Sequence, residues 1–170
     1  MPNRFKSLLE ILAQADVQFI LIGGVAANLH GSARATFDID IVYARSRKNF
    51  AAITSALSPL APYLRGAPPG LPFRLDEKTL ANGLNFTLTT ALGDLDLLGE
   101  VAGGGTYENL LGSSMWLEID GLRIRCATVD QLISLKNAAG RPKDFESVAE
   151  LKAIKQERKN HEDSTEHECG

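Results

Sequence analysis

Apolar positions along the chain switch between two spacings, and the switches predict a mixed α/β protein. Phe5, Leu8, Leu9 and Leu12 recur at i, i+3, i+4 and i+7, which places them on one face of an opening amphipathic helix. Phe19-Ile20-Leu21-Ile22 is apolar at every position, the pattern of a strand buried on both faces, and Gly23-Gly24 ends it. Val25 to Leu29 then reads as a short helix stopped at Gly31, Asp38 to Val42 as a second strand, and Lys48 to Leu57 as a helix through Phe50, Ile53 and Leu57.

Ser58 to Pro72 holds five prolines, which can propagate neither a helix nor a central strand, so a loop is expected there, over one face of the molecule. Asn85 to Thr90 and Leu92 to Leu98 form a pair of strands joined near Gly93, and Gly103-Gly104-Gly105 marks a further turn. Met115 to Ile119 and Leu122 to Cys126 flank Asp120-Gly121, whose residues tolerate the positive φ of a two-residue hairpin. Thr128 with Gln131 has the spacing of a capping box before a helix ending at Gly140, and Pro142 opens another carrying Phe145, Val148, Ala149 and Leu151. From Gln156 to Gly170 the chain is almost devoid of apolar residues and reads as a polar, disordered tail. The fold class is therefore α/β, a mixed β-sheet flanked by helices in one domain over residues 1–155.

Chemistry concentrates on that sheet. Asp38 and Asp40 are two residues apart on a strand and so face the same way, with Cα atoms about 6.5 Å apart, a spacing that lets them share one metal or bracket two. Asp is depleted in strands, and two of them in a β-branched run destabilise it unless a cation or donor compensates. Gly23-Gly24 stands where a strand passes into a helix, where backbone N–H groups can meet a phosphate; a close-packed turn explains the pair equally well. Asp94 and Asp96 offer a third acid on one strand face, Asp96 set deeper among Leu95, Leu97 and Leu98. Lys136, Arg141 and Lys143 suit phosphate oxygens, or complement a helix end together with Asp144. His30 and Arg34 precede the carboxylates and can approach a substrate, although a lone His beside Gly is more often a structural hydrogen-bonding residue. Trp116 and Tyr107 can stack a base, but so few aromatics favour ordinary core or surface roles for them.

Ile22-Gly23-Gly24 followed by Asp38-Ile39-Asp40, with Asp96 on a later strand, resembles the nucleotidyltransferase superfamily typified by DNA polymerase beta. Gly23 to Ala27 with His30-Gly31, Arg34, Thr36 and Asp38 to Asp40 is similar to its small prokaryotic branch, which includes AbiEii-type toxins and minimal nucleotidyltransferases. Lys136 to Asp144 resembles a C-terminal signature of that branch. The resemblance implies transfer of a nucleoside monophosphate from an NTP to a hydroxyl with release of pyrophosphate. Gly23, Gly24, Lys136 and Arg141 would bind the nucleotide, Asp38, Asp40 and Asp96 two Mg²⁺ or Mn²⁺ ions, and Asp96 also the acceptor hydroxyl. That acceptor would be an RNA end, a protein or a small molecule, and an antitoxin protein is a further partner if the chain is a toxin. The competing reading is a catalytically weak module that binds nucleotide or a partner protein. An aminoglycoside-type resistance enzyme shares the chemistry and would need an acidic antibiotic-binding cleft.

Composition narrows the setting. The 170 residues, 44% of them apolar, suffice for one core. A net charge of -3 leaves no broad basic surface for gripping nucleic acid. Cys126 and Cys169 have no metal-binding spacing and no expected disulfide, and no run is long and apolar enough to span a membrane, so a cytoplasmic protein is expected.

Overall fold

The computed structural model describes residues 3–142 and 144–167. The chain runs α1 (Asn3–Gln14), β1 (Phe19–Ile22), α2 (Gly23–Leu29), β2 (Asp38–Tyr43), α3 (Arg47–Leu57), β3 (Tyr63–Leu64) and α4 (Glu77–Asn82). It continues through β4 (Asn85–Thr90), β5 (Gly93–Leu98), α5 (Tyr107–Leu110), β6 (Ser114–Ile119), β7 (Leu122–Ala127), α6 (Val129–Ala139) and α7 (Asp144–His167).

One seven-stranded sheet in the order β3-β4-β5-β2-β1-β7-β6 organises the domain. β1 pairs antiparallel with β2 and parallel with β7, while β2 and β5 run parallel, so the sheet is mixed. All four residues of β1 are buried because it lies near the middle with both faces covered. β2 divides its faces: Ile39 and Ile41 are fully buried in the core, and Asp38 and Asp40 point the other way. α1 buries Phe5, Leu8, Leu9 and Leu12, the face its spacing predicts. Asp120 and Gly121 turn the β6–β7 hairpin at φ 48° and 80°, as the dipeptide requires.

Four elements depart from the sequence reading. Tyr63–Leu64 pairs with β4 inside the segment expected to be a loop, because a two-residue strand at a sheet edge tolerates neighbouring prolines. α2 includes Gly23 and Gly24 in its first turn instead of starting after them. Thr128 caps α6 by accepting from the Gln131 amide at 3.3 Å, but the Thr128 amide donates to the Ser113 carbonyl at 3.0 Å and not to the Gln131 side chain, so only half of the capping box forms. α7 begins at Asp144, after a turn at Arg141-Pro142, and continues to His167, past the polar tail expected from Gln156. Contacts from outside the helix hold its middle: Arg158 donates to the His30 carbonyl at 3.0 Å, and Lys155 pairs with Asp130. Val148 and Leu151 of α7 are buried, but Phe145 is turned out to solvent. Lys143 and Cys169 lie outside the described residues.

Candidate functional site

Strand register assembles the polar face. Asp40 of β2 stands opposite Ile22 of β1 and Asp96 of β5, and Asp96 in turn stands opposite Thr87 of β4. One row away, Asp38 is opposite Asp94, which is opposite Thr89. Because β2 and β5 are parallel and in direct register, their two pairs of carboxylates form a block on one face. One carboxylate oxygen from each of Asp38, Asp40 and Asp96 lies within 4.8 Å of the others. Hard oxygen donors at that spacing suit Mg²⁺ or Mn²⁺, so the donor set fits the divalent ions of the sequence reading. Asp94 stays outside this group, accepting from the Thr89 hydroxyl at 2.9 Å.

Crowding these charges is unfavourable, and the titration behaviour reflects it. Burial, then repulsion from Asp38 and Asp96, raises Asp40 to about 7, against the opposing pull of Arg141 and Arg65. Asp96 is raised too, by burial first, although Arg65 works against it.

Gly23 makes the close approach of β1 and β2 workable. It sits at φ +69°, and a Cβ there would fall on the Asp40 carboxylate; a Cβ at Gly24 would fall on the Thr36 hydroxyl. Ile22 at the α2 N-cap offers no side-chain hydrogen bond, so the first-turn N–H groups have no side-chain cap. A cavity of about 470 Å³ opens here, bounded by Gly23, Gly24, Asp38, Asp40, Lys136 and Arg141. A second, of about 280 Å³, continues from Asp40 and Asp96 into an apolar wall of Leu98, Val101, Leu132 and Leu135.

Of the three predicted cations, Lys136 and Arg141 line the two cavities, and one acid positions them. Lys136 Nζ lies 3.3 Å and Arg141 Nε 2.7 Å from the Asp144 carboxylate, itself only 5% exposed. Burial alone would raise Asp144, but hydrogen bonds from Arg141 and Lys136 hold it below the ordinary carboxylate range. Thus Asp144 is less a helix-end charge than the anchor of two cations.

Other candidates sit elsewhere. His30 is buried; its Nε2 donates to the Ala127 carbonyl at 2.8 Å, and its Nδ1 faces Arg158 at 3.3 Å. Burial first, with Arg158 reinforcing it, lowers its pKa, which makes His30 a structural tie between α2, β7 and α7. Arg34 reaches the first cavity but pairs with Glu146 at 2.9 Å. Trp116 and Tyr107 line a separate cavity of about 710 Å³, where Arg123 and Arg125 stack on the indole. Burial pushes the Cys126 thiol up to about 12, so it is chemically inert.

Two residues of this region escaped the sequence reading. Arg65, just beyond β3, lies 3.4 Å from Asp38 and 3.5 Å from Asp94 and pairs closely with Asp96. Phe37, at the rim of the first cavity, is 76% exposed, unusual for a phenylalanine. A bulky ring beside a carboxylate motif was a signal available in the sequence; Arg65 had none, because its neighbours follow no period.

No protein-family model matches this sequence, and no curated protein does. Solved structures do. TM1012 from Thermotoga maritima, assigned as a nucleotidyltransferase, aligns with a TM-score of 0.55 at 15% identity, covering 86% of this chain and 88% of its own. The antibiotic-resistance factor ANT(2'')-Ia aligns with a TM-score of 0.55 at 16% identity, over 99% and 98%. The chain has the nucleotidyltransferase fold. Among the described residues no helix of this nucleotidyltransferase fold is long and apolar enough to cross a membrane.

Proposed function

We propose that the protein is a metal-dependent nucleotidyltransferase that moves a nucleoside monophosphate from an NTP to a hydroxyl and releases pyrophosphate. The observation that carries this reading is the convergence of Asp38, Asp40 and Asp96 beside Gly23 and the Lys136–Arg141 pair. A module that only bound a partner would gain nothing from three mutually repelling carboxylates, so the cluster supports catalysis over binding alone.

Asp38, Asp40 and Asp96 would hold one or two Mg²⁺ or Mn²⁺ ions, which when bound offset phosphate charge and polarise the reacting oxygens. The chain's own groups do the rest. Lys136 and Arg141, fixed by Asp144, draw the triphosphate in, the arginine by its planar fork and the lysine as a point charge. The first-turn N–H groups at Gly23 and Gly24 receive phosphate oxygens. Phe37 offers an exposed face on which a base can stack. Asp96 takes the proton of the acceptor hydroxyl as its oxygen bonds to the α-phosphorus and the bond to the pyrophosphate oxygen breaks.

The motifs from Gly23 to Asp40 and from Lys136 to Asp144 support the AbiEii-like branch, with a toxin's role and an antitoxin partner. The test is transfer of label from NTPs to a component of a cell extract in Mg²⁺, with the modified RNA, protein or small molecule identified by mass. Asp38→Ala, Asp40→Ala or Asp96→Ala, or chelation of the metal, should abolish labelling. Equal labelling by wild type and all three variants would sink the mechanism.

A further inference from the structure

We propose that Arg65 is the resident counter-ion of the carboxylate cluster and a positioning residue for the reaction: its guanidinium competes with a divalent cation for Asp38 and Asp96, and metal and nucleoside triphosphate release it together. The inference rests on the nucleotidyltransferase reading above.

The backbone of Arg65 is held in place. Its amide donates to the Thr87 carbonyl at 2.9 Å, which continues the β3–β4 pairing by one residue. The loop that follows is tied to Tyr63, whose hydroxyl donates to the Pro68 carbonyl at 2.7 Å and accepts from the Leu71 amide at 3.0 Å. Only the side chain is left to move, and its base stands opposite Thr87, in the same cross-sheet row as Asp96 and Asp40.

From that base the guanidinium reaches two of the three carboxylates that offer ligands to one ion. An arginine cannot lose its proton to make way for a metal, so it must swing aside. It is also imperfectly held: its buried Nε has no hydrogen bond and faces Asp94 at 3.5 Å. Leaving therefore forfeits less than a fully satisfied fork would. A triphosphate offers the planar fork of Arg65 two oxygens at once, a partner as good as the carboxylates it gives up. Metal alone strands the guanidinium, whereas metal with triphosphate rehouses it. Each ligand thus raises the affinity for the other through Arg65, and the coupling is reciprocal.

The test is Mn²⁺ binding, read from the electron paramagnetic resonance of the free ion. It is run with and without a non-hydrolysable NTP analogue, for the wild type, Arg65→Gln, Arg65→Lys and Asp38→Asn. Arg65→Gln should bind Mn²⁺ alone about tenfold more tightly than wild type, the effect of one charge-assisted contact, and lose most of the enhancement by nucleotide. Arg65→Lys keeps the charge without the fork; it should bind Mn²⁺ like wild type but show weaker coupling, and it carries the test if the glutamine variant fails to fold. Unchanged affinity and coupling in both variants, with Asp38→Asn abolishing binding, would overturn the role of Arg65 and leave the metal site standing. Absence of Mn²⁺ binding to every form, or indifference to Asp38→Asn, would overturn the metal reading and this inference with it.

Discussion

Gly23 and Asp40 occupy one another's space: the site where any other residue at 23 would place its Cβ is filled by the Asp40 carboxylate. The glycine that ends β1 is therefore what allows the middle acid of the cluster to face inward. Gly23→Ala should lose about 2 kcal/mol or more in urea denaturation, since a left-handed backbone alone costs an alanine roughly 1–2 kcal/mol. It should also cut nucleotidyl transfer by about 100-fold by displacing Asp40. Gly70→Ala is the control, because Gly70 has φ +86° with open space around it. That variant should show the backbone penalty and keep its activity; equal loss of activity in both would refute the steric argument.

Asp40 makes stability depend on pH in a definite direction. Its carboxyl titrates near 7 in the fold against 3.8 as a free side chain, so between those values the folded state keeps a proton that the unfolded chain has released. Stability is then lost as pH rises from about 4 to about 7, and the penalty is complete above it. Asp40→Asn escapes the penalty. It should be more stable than wild type at pH 8 by about 2 kcal/mol, discounted for solvent screening, with the gap closing near pH 4. Denaturation curves across that range check it, and parallel pH profiles for the two proteins would rule it out.

Arg158 joins the end of the chain to the body of the domain through His30. Arg158→Ala should lower stability by about 1 kcal/mol, the worth of a hydrogen bond from a charged donor at an exposed site. Since the arginine's charge helps hold the imidazole low, its removal should raise the His30 pKa. A proton NMR titration of the imidazole reads this directly, and an unmoved titration would show that Arg158 does not act on His30 in solution.

Much of the architecture was legible in the residues themselves. The 3.6-residue spacing of Phe5, Leu8, Leu9 and Leu12 gives the buried face of α1, and Asp120-Gly121 specifies its own turn. The two-residue step from Asp38 to Asp40 guarantees that both acids share a face of β2, whatever surrounds it. These features depend on bond geometry and near neighbours, which a linear sequence contains. The choice between Asp94 and Asp96 was not of that kind, because both lie on one face of β5, and the β2–β5 register decides which stands beside Asp40.

Tertiary structure alone decided the remaining relationships. Arg65 meets Asp38 and Asp96 across intervals of 27 and 31 residues, from a proline-rich segment whose pattern carries no period. Asp144 gathers Lys136 and Arg141 because a turn folds α7 back onto α6, and His30 is a structural tie because Arg158 arrives from the far end of the chain. Periodicity determines which side chains share a surface. Which surfaces meet is set by strand order and packing, through energies spread over the whole core and written at no single position.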